Sequence, residues 1–514
     1  DTAFDFEPVE ILSSRSLDQC YNSSGVVVNC TLGAIENIDS DYYGQSFIFN
    51  SSGNRFVPND SNGDNDVFVW KNNIVSRVSV TQTNEQSSGG ASVAMAISGN
   101  GRYAYFKSSA DNLITGTNNE NLYIKDLETG NIAVISRDFS GNPINRLAAN
   151  FEADVTDSGR YVFFSSRNAN YASGLSDGNI ARDIYMVDLD PDVNGNYFDD
   201  NYVTVAISHI PGNLLQTGNG ESHLPSVSGN GLYVVFRTAA TDIDSAFNAN
   251  GSTRDILLMK FSVDATTGTL DVSNPIYIPI ALDADQPVLS RDNDTVTFKT
   301  LLNLDPADIN SLSTGSDIYA SLGEGAGFAL NSRSLRWLSK SFNNTNSSGN
   351  GGFVIKSLSI AAEPTMTTAD FKVSWVSEHT NIESGDTNAV SDLFVERSST
   401  VFPVGVPAPN WIGNDNGSQV ISSADVRSGK LSPDGRYAYW VSQQTYASPY
   451  ATNGDLQLYR RRIEPLFSTT LTINTIGNGQ IIRSISGSTG AATNEFNYLD
   501  EDTVELVASA DMGW

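Results

Sequence analysis

One ten-residue pattern recurs along the chain and constrains its fold more than any other feature. It reads ISGNGRYAYF at 97–106, VTDSGRYVFF at 155–164 and VSGNGLYVVF at 227–236. Weaker copies are LSRDNDTVTF at 289–298, MTTADFKVSW at 366–375 and LSPDGRYAYW at 431–440, and DYYGQSFIF at 41–49 is a distorted first copy. Each copy has an apolar strand end, a turn of Gly, Asn or Asp, and a second strand rich in aromatics, which is the signature of a β-hairpin. A third segment follows each hairpin, as in DNDVFVW (64–70), RDIYMVD (182–188) and SDLFVER (391–397). A fourth comes after it, as in SRVSVTQ (76–82) and VTVAISHI (203–210).

The repeat unit is therefore four strands, found seven times, with a period of about 57 to 77 residues, so the excess over an ordinary blade lies in loops. A single four-stranded sheet cannot bury both of its faces, whereas seven stacked around an axis can. The expectation is an all-β, seven-bladed propeller of four-stranded antiparallel blades over residues 1–466. The last unit lacks an obvious fourth strand, and VEILSSR (9–15) resembles the missing one. Pairing it into the last blade closes the ring and removes an exposed edge. After residue 466 the texture changes: TTLTINTIGNGQIIRS (469–484) and YLDEDTVELVASADMGW (498–514) read as the start of a small all-β module over 467–514.

The hairpin string, with the "D-hydrophobic-Y" segment after it, resembles the TolB-type, WD-like propeller repeat of bacterial envelope and secreted proteins. The C-terminal segment resembles a small all-β repeat appended to bacterial surface proteins, which there continues beyond the Gly-Trp at which this sequence stops. Both resemblances bear on fold and say little about activity.

The net charge of −29 sets partners. Nucleic acid and anionic membranes are repelled at long range, and a polyanionic ligand needs a local basic patch. No apolar run approaches the roughly 20 residues of a membrane span. The two cysteines, Cys20 and Cys30, flank a short polar loop without CxxC spacing. That suits a small disulfide loop in an exported protein better than metal or redox chemistry. Asp1 reads as the start of a mature chain after removal of a signal peptide, so the expected location is secreted or cell-surface, and the expected state a monomer.

The chain has three histidines, and two of them fall in SHIPGNLLQTGNGESHLP at 208–225. In a propeller this stretch is the crossing from blade three to blade four on the face opposite the hairpin turns, here called the upper face. Strand order puts His209, His223 and His379 on that face. Arg167, Tyr171, Arg237 and Lys299 follow second strands and reach the same face, and Arg427 opens the last blade where His223 opens the fourth. Arg102, Arg160 and Arg436 follow the lower turns and read as hairpin residues. Read plainly, His209 caps a strand, His223 is a satisfied interior histidine, Tyr171 packs, and Arg237 bridges to Asp242 or Asp244. Read as chemistry, His209, His223, Tyr171 and Arg237 form a catalytic set, with Arg167, Lys299, Arg427 and His379 binding substrate. Arginine or protonated histidine neutralises a uronate carboxylate, and His or Tyr removes the C5 proton and protonates the leaving oxygen.

The chain is similar in fold, length, acidity and appended module to propeller polysaccharide lyases of the marine ulvan-cleaving kind. The function expected first is thus a lyase on an anionic, uronate-containing polysaccharide. The alternatives are a non-catalytic TolB-like propeller that binds a protein or glycan, and a glycoside hydrolase using Glu221 with Asp285. No nucleotide-binding or nucleophile-elbow motif is present, and no organic cofactor is expected. DLDPDVNGNYFDD (188–200) alternates Asp190, Asp192 and Asn194 before Gly195, with Asp199 and Asp200 following. That is calcium-loop logic without the usual acidic twelfth position, so a structural calcium ion is expected there and, more weakly, at Asp60, Asn62 and Asp64.

Overall fold

The computed structural model describes residues 10–12, 20–21, 27–28, 33–144, 151–244, 254–292, 294–306, 316–323, 333–339, 357–362, 371–378, 391–398, 410–411, 426–443, 456–463 and the strands between 468 and 510. Seven four-stranded antiparallel sheets form a propeller, with a single turn of 3-10 helix at Ala169–Tyr171 among the described residues. The innermost strands are Ile35–Ser40, Ser92–Ile97, Ala153–Val155, Ser222–Val227, Ala284–Leu289, Ser357–Ala362 and Val426–Leu431.

The seventh blade is closed from the other end of the chain. Glu10 and Ile11 lie in antiparallel register against Arg460 and Tyr459, and the Leu12 amide donates to the Leu458 carbonyl at 2.9 Å. Among the described residues of the expected strand Glu10 and Ile11 pair, and Leu12 is buried with Phe47, Tyr439, Val441 and Leu458, a cluster drawn from blades seven and one.

The apolar cores lie between blades, not within them. One joins Tyr105, Leu122 and Ile124 of blade two to Val155, Phe164 and Tyr185 of blade three, and others join blades three to four, four to five and five to six. This is why the second strands are buried along most of their length instead of alternating: Tyr103, Ala104, Tyr105 and Phe106 are all buried, because both faces of each sheet meet a neighbour. Packing reaches the turns too. The Tyr105 hydroxyl donates to the Gly159 carbonyl in the next blade's hairpin, and Gly159 sits at φ +81°, where a Cβ would stand 2.6 Å from the Tyr103 ring.

The recurring "D-hydrophobic" position is structural. Asp66 accepts the Ser79 hydroxyl at 2.6 Å and Asp317 accepts that of Ser339 at 2.6 Å, tying third strands to fourth strands inside the blade. Arg102 and Arg160, expected as hairpin residues, pair with Asp126 (2.8 Å) and Asp188 (2.7 Å) at the ends of their third strands.

Contacts divide the chain at Arg461/Arg462. In the second unit Ser468–Thr472 pairs with Glu495–Leu499, and Gly479–Ile485 lies between Ser488–Ala491 and Val504–Ala510. Among the described residues no helix is long and apolar enough to cross a membrane.

Candidate functional site

The innermost strands are bent near their upper ends. A bulge interrupts their pairing between Glu36 and Asp39, Ala94 and Ala96, His223 and Ser226, Asp285 and Val288, and Val426 and Ser428. Asn37, Leu224 and Gln286 hold equivalent places in these bulges, with φ of +51°, +57° and +50°. A leucine pays for a left-handed backbone where an asparagine does so cheaply, and the repeat of the bend around the ring is what holds it there. The bulges surround an axial cavity of about 230 Å³ to which every blade contributes, among them Asp39, Glu152, Leu224, Leu358 and Lys430.

Charges in this cavity meet loosely. Lys430 Nζ is 3.6 Å from Asp39 Oδ1, and the buried Arg291 guanidinium lies 3.4 Å from Asp154 Oδ1 and 3.9 Å from Asp157 Oδ1. Two pairs away from the cavity, Arg102–Asp126 and Arg160–Asp188, are closer, at 2.8 and 2.7 Å. Burial raises the carboxyls of Asp39 and Asp157 against the pull of Lys430 and Arg291 respectively.

Above the cavity, a chain of alternating charges crosses blades three, four and five. Arg182 joins Glu221 (2.9 Å) to Glu152 (3.1 Å). Glu152 lies 3.8 Å from His223 Nδ1, and His223 Nε2 accepts from Arg237 Nε at 2.7 Å. Arg237 also pairs with Asp285, which stands opposite Lys299 in the neighbouring blade. Burial works against ionised Glu152, but His223, the Ser165 hydroxyl and Arg182 together hold its carboxyl below the usual range. Arg182 does the same for Glu221.

The lower end is bound by a chain of turn-to-turn hydrogen bonds. Asp434 N donates to Tyr42 O (3.1 Å), Tyr42 N to Gly99 O (3.0 Å), Asn100 N to Asp157 O (3.0 Å), Asp157 N to Gly229 O (2.8 Å) and Gly229 N to Arg291 O (2.8 Å). The Tyr42 hydroxyl adds a bond to Asp292 at 2.7 Å across the axis.

Against this geometry the expected site residues separate. His223, Arg237 and Lys299 meet in the charge chain; Arg237 takes Asp285 as its partner instead of Asp242 or Asp244. Arg167 and Arg427 are exposed. His379 lies outside the described residues, as does Cys30. Tyr171 is a core residue: it is 2 % exposed, its ring lies tilted 4.9 Å from Tyr185 and edge-on 5.0 Å from Phe164, and burial raises its phenol. His209 does not flank a groove. The residues after it fold back as a short hairpin, His209–Ile210 against Asn213–Thr217, and the imidazole is fully buried with Nδ1 on the Ile210 carbonyl at 2.9 Å.

The carboxylates of 188–200 are largely committed within the protein. Asp190 accepts the amides of Asn194 (2.7 Å) and Gly195, Asn194 donates to Asp192 and Asp199 (both 2.9 Å), and Asp200 pairs with Arg137 (2.7 Å). Asp60 is 3.4 Å from Arg77. Among the described residues no three His, Cys, Asp or Glu side chains gather as a metal-binding group. Glu152 and Arg182 were not singled out in the sequence. Glu152 aligns with His223 by pairing, opposite Ser165 as His223 is opposite Arg237, but the bulge changes its distance from the turn by one residue and hides the equivalence.

No protein-family model matches this sequence, and no curated protein matches it. Solved structures do. The β-propeller domain of the Trilobed protease from Pyrococcus furiosus is 9 % identical, with a TM-score of 0.43 over 85 % of this chain and 95 % of that one. A structure from work on two prolyl endopeptidases is 10 % identical, with a TM-score of 0.44 over 89 % of this chain and 53 % of that one. A putative TolB from Agrobacterium tumefaciens is 13 % identical, with a TM-score of 0.32 over 62 % of this chain and 86 % of that one. At such identities the likeness is one of architecture.

The expectation of a uronate lyase is corrected. The similar structures reported are propellers of peptidases and of a putative TolB, not of polysaccharide lyases. The residues a β-elimination would use are also dispersed: Tyr171 in the core, His209 beneath a hairpin, and His223 with Arg237 inside a closed chain of charges. The hydrolase alternative fares no better, since Glu221 and Asp285 are each held by an arginine. Arg182 lowers the Glu221 carboxyl, which leaves it without the proton a general acid must carry.

Proposed function

We propose that this chain is a non-catalytic binding propeller, TolB-like in character, whose partner is a protein or glycan that enters the axial cavity from the upper face. The observation that carries this reading is the state of the charges lining the cavity. As ion pairs, Lys430 stands 3.6 Å from Asp39 and Arg291 3.4 Å from Asp154, while the backbone amides of Ile97 (3.1 Å) and Val227 (2.8 Å) hold the two carboxylates in place. Loosely paired charges in a partly desolvated cavity can exchange an internal partner for a guest's polar group at low cost. Around them Leu224, Leu358 and Pro225 offer apolar contact. In the chain of charges above, His223 Nε2 is taken by Arg237 and both carboxylates at its ends by arginines, which suits a rigid rim better than a proton-transfer centre.

The test is a screen of the immobilised protein against a glycan array and a displayed peptide library, repeated with Ala153→Trp, which fills the cavity from blade three. The reading expects hits that the filled variant loses by tenfold or more, with none of the hits cleaved. Hits that survive Ala153→Trp unchanged, or that are turned over, overturn it.

A further inference from the structure

A buried carboxylate in blade three lacks the cation that its equivalent in blade one has. In blade one the second oxygen of Asp66 faces Arg77 at 3.2 Å, with Gln86 (3.2 Å) and Asn62 (3.3 Å) beside it. Asp183 holds the same place in blade three and accepts the Ser208 hydroxyl at 2.9 Å, as Asp66 accepts that of Ser79. Its Oδ2, however, has no hydrogen-bond partner, although the side chain is fully buried. The residue in Arg77's place is Ala206, paired with Tyr185 as Arg77 is with Phe68. Instead of a cation, Asp177 and Asp242 add negative charge, and burial with those two neighbours pushes the Asp183 carboxyl up to about 7.

Two more buried polar atoms in this neighbourhood are without partners: Thr217 Oγ1 and His209 Nε2. The Thr217 hydroxyl lies beside the Asp183 carboxyl, close enough to lower its pKa. His209 and Thr217 are directly opposite each other in the short hairpin, which puts their side chains on one face. The imidazole tautomer is fixed. Its Nδ1 meets the Ile210 carbonyl at 2.9 Å, and a carbonyl only accepts, so the proton is on Nδ1 and Nε2 presents a lone pair. A histidine whose Nδ1–H is held by a backbone carbonyl is oriented as metal-binding histidines are. Thr217 thus links the imidazole of His209, opposite it in the hairpin, to the Asp183 carboxyl, and among the described residues no ion pair neutralises that carboxyl.

We propose that Asp183, Thr217 and His209 hold a divalent metal ion of the imidazole-preferring first-row class, which takes in blade three the place that the Arg77 guanidinium takes in blade one. Zinc is the first choice for a nitrogen and oxygen set of this kind. Asp177 and Asp242 act through their charge, and water completes the shell. The ion fastens the 209–217 hairpin to the first residue of the third strand, and so fixes the upper-face connection between blades three and four.

The experiment uses the full chain, stripped with EDTA and titrated with Zn²⁺ by calorimetry, with Co²⁺ absorption as the spectroscopic readout. The proposal expects one ion per chain, affinity at least about tenfold weaker in His209→Ala and Asp183→Asn, and no change in His223→Ala. Thr217→Val, nearly isosteric, should weaken binding while leaving the circular dichroism spectrum unchanged. It also expects imidazole-nitrogen and oxygen ligation in the Co²⁺ spectrum. No binding to the wild-type chain, or binding equally tight in His209→Ala and Thr217→Val, overturns it.

Discussion

Arg237 donates from Nε to His223 Nε2 at 2.7 Å, which places the histidine's proton on Nδ1, turned toward Glu152. The two residues expected to share a reaction instead satisfy each other, and Arg237 continues to Asp285. Arg237→Ala leaves a buried imidazole acceptor and a half-exposed carboxylate without their donor. We expect it to lower stability by about 1–3 kcal/mol, measured as the shift in urea midpoint at constant m-value. A midpoint equal to wild type would show that the charge chain is not structural.

Ring closure gives a second expectation. Leu12 is 3 % exposed and its amide bonds Leu458. Leu12→Ala removes core volume where blades seven and one meet and should cost about 2–4 kcal/mol, read by thermal and urea unfolding. A loss below about 0.5 kcal/mol would mean that the ring is closed by other contacts.

Much of the architecture was legible because the repeat carries its own register: Gly159 and Gly231 mark hairpin turns, Asp66 and Asp183 open third strands, and VEILSSR fits the vacancy in the seventh blade. What was not legible has physical causes. The bulges insert a residue or more into the innermost strands, so equal offsets from a turn do not mean equal positions, and Glu152 escaped notice. The segment after His209 contains a hairpin that belongs to no blade, and a two-residue strand leaves no periodicity to read. Tyr171 follows a second strand, as the surface residues do, but the 3-10 turn at Ala169–Tyr171 folds it back under Phe164 and Tyr185.

The lower turns give a paired test. A Cβ on Gly229 would lie 1.9 Å from Asp157 Oδ2, and one on Gly99 would lie 2.3 Å from Asp157 Oδ1. Gly229→Ala should therefore be destabilising by roughly 1–3 kcal/mol, and Asp157→Ala should recover part of the loss. A double-mutant cycle with a coupling energy near zero would show that the clash relaxes elsewhere.

Asp183 gives a pH dependence. Its folded pKa of about 7 stands above the unfolded value of 3.8, so between those limits the folded state keeps a proton that the unfolded chain has released. In EDTA-treated protein its cost to stability is absent below about pH 4, grows as pH rises, and is complete above about pH 7. Asp183→Asn keeps the acceptor for Ser208 and removes that cost. Its melting temperature relative to wild type should be higher at pH 8 than at pH 4.5. A difference that is flat with pH, or that runs the other way, would mean that Asp183 is stabilised as the anion.

The central claim is that the axial cavity receives a partner and does no chemistry on it. The most direct measurement is a crystal structure of the protein with the tightest-binding glycan or peptide from the screen. The account predicts an intact ligand in the cavity, with polar groups on Asp39, Lys430 or Arg291. A ligand seated on the outer strands of the blades, or one found cleaved, would contradict it.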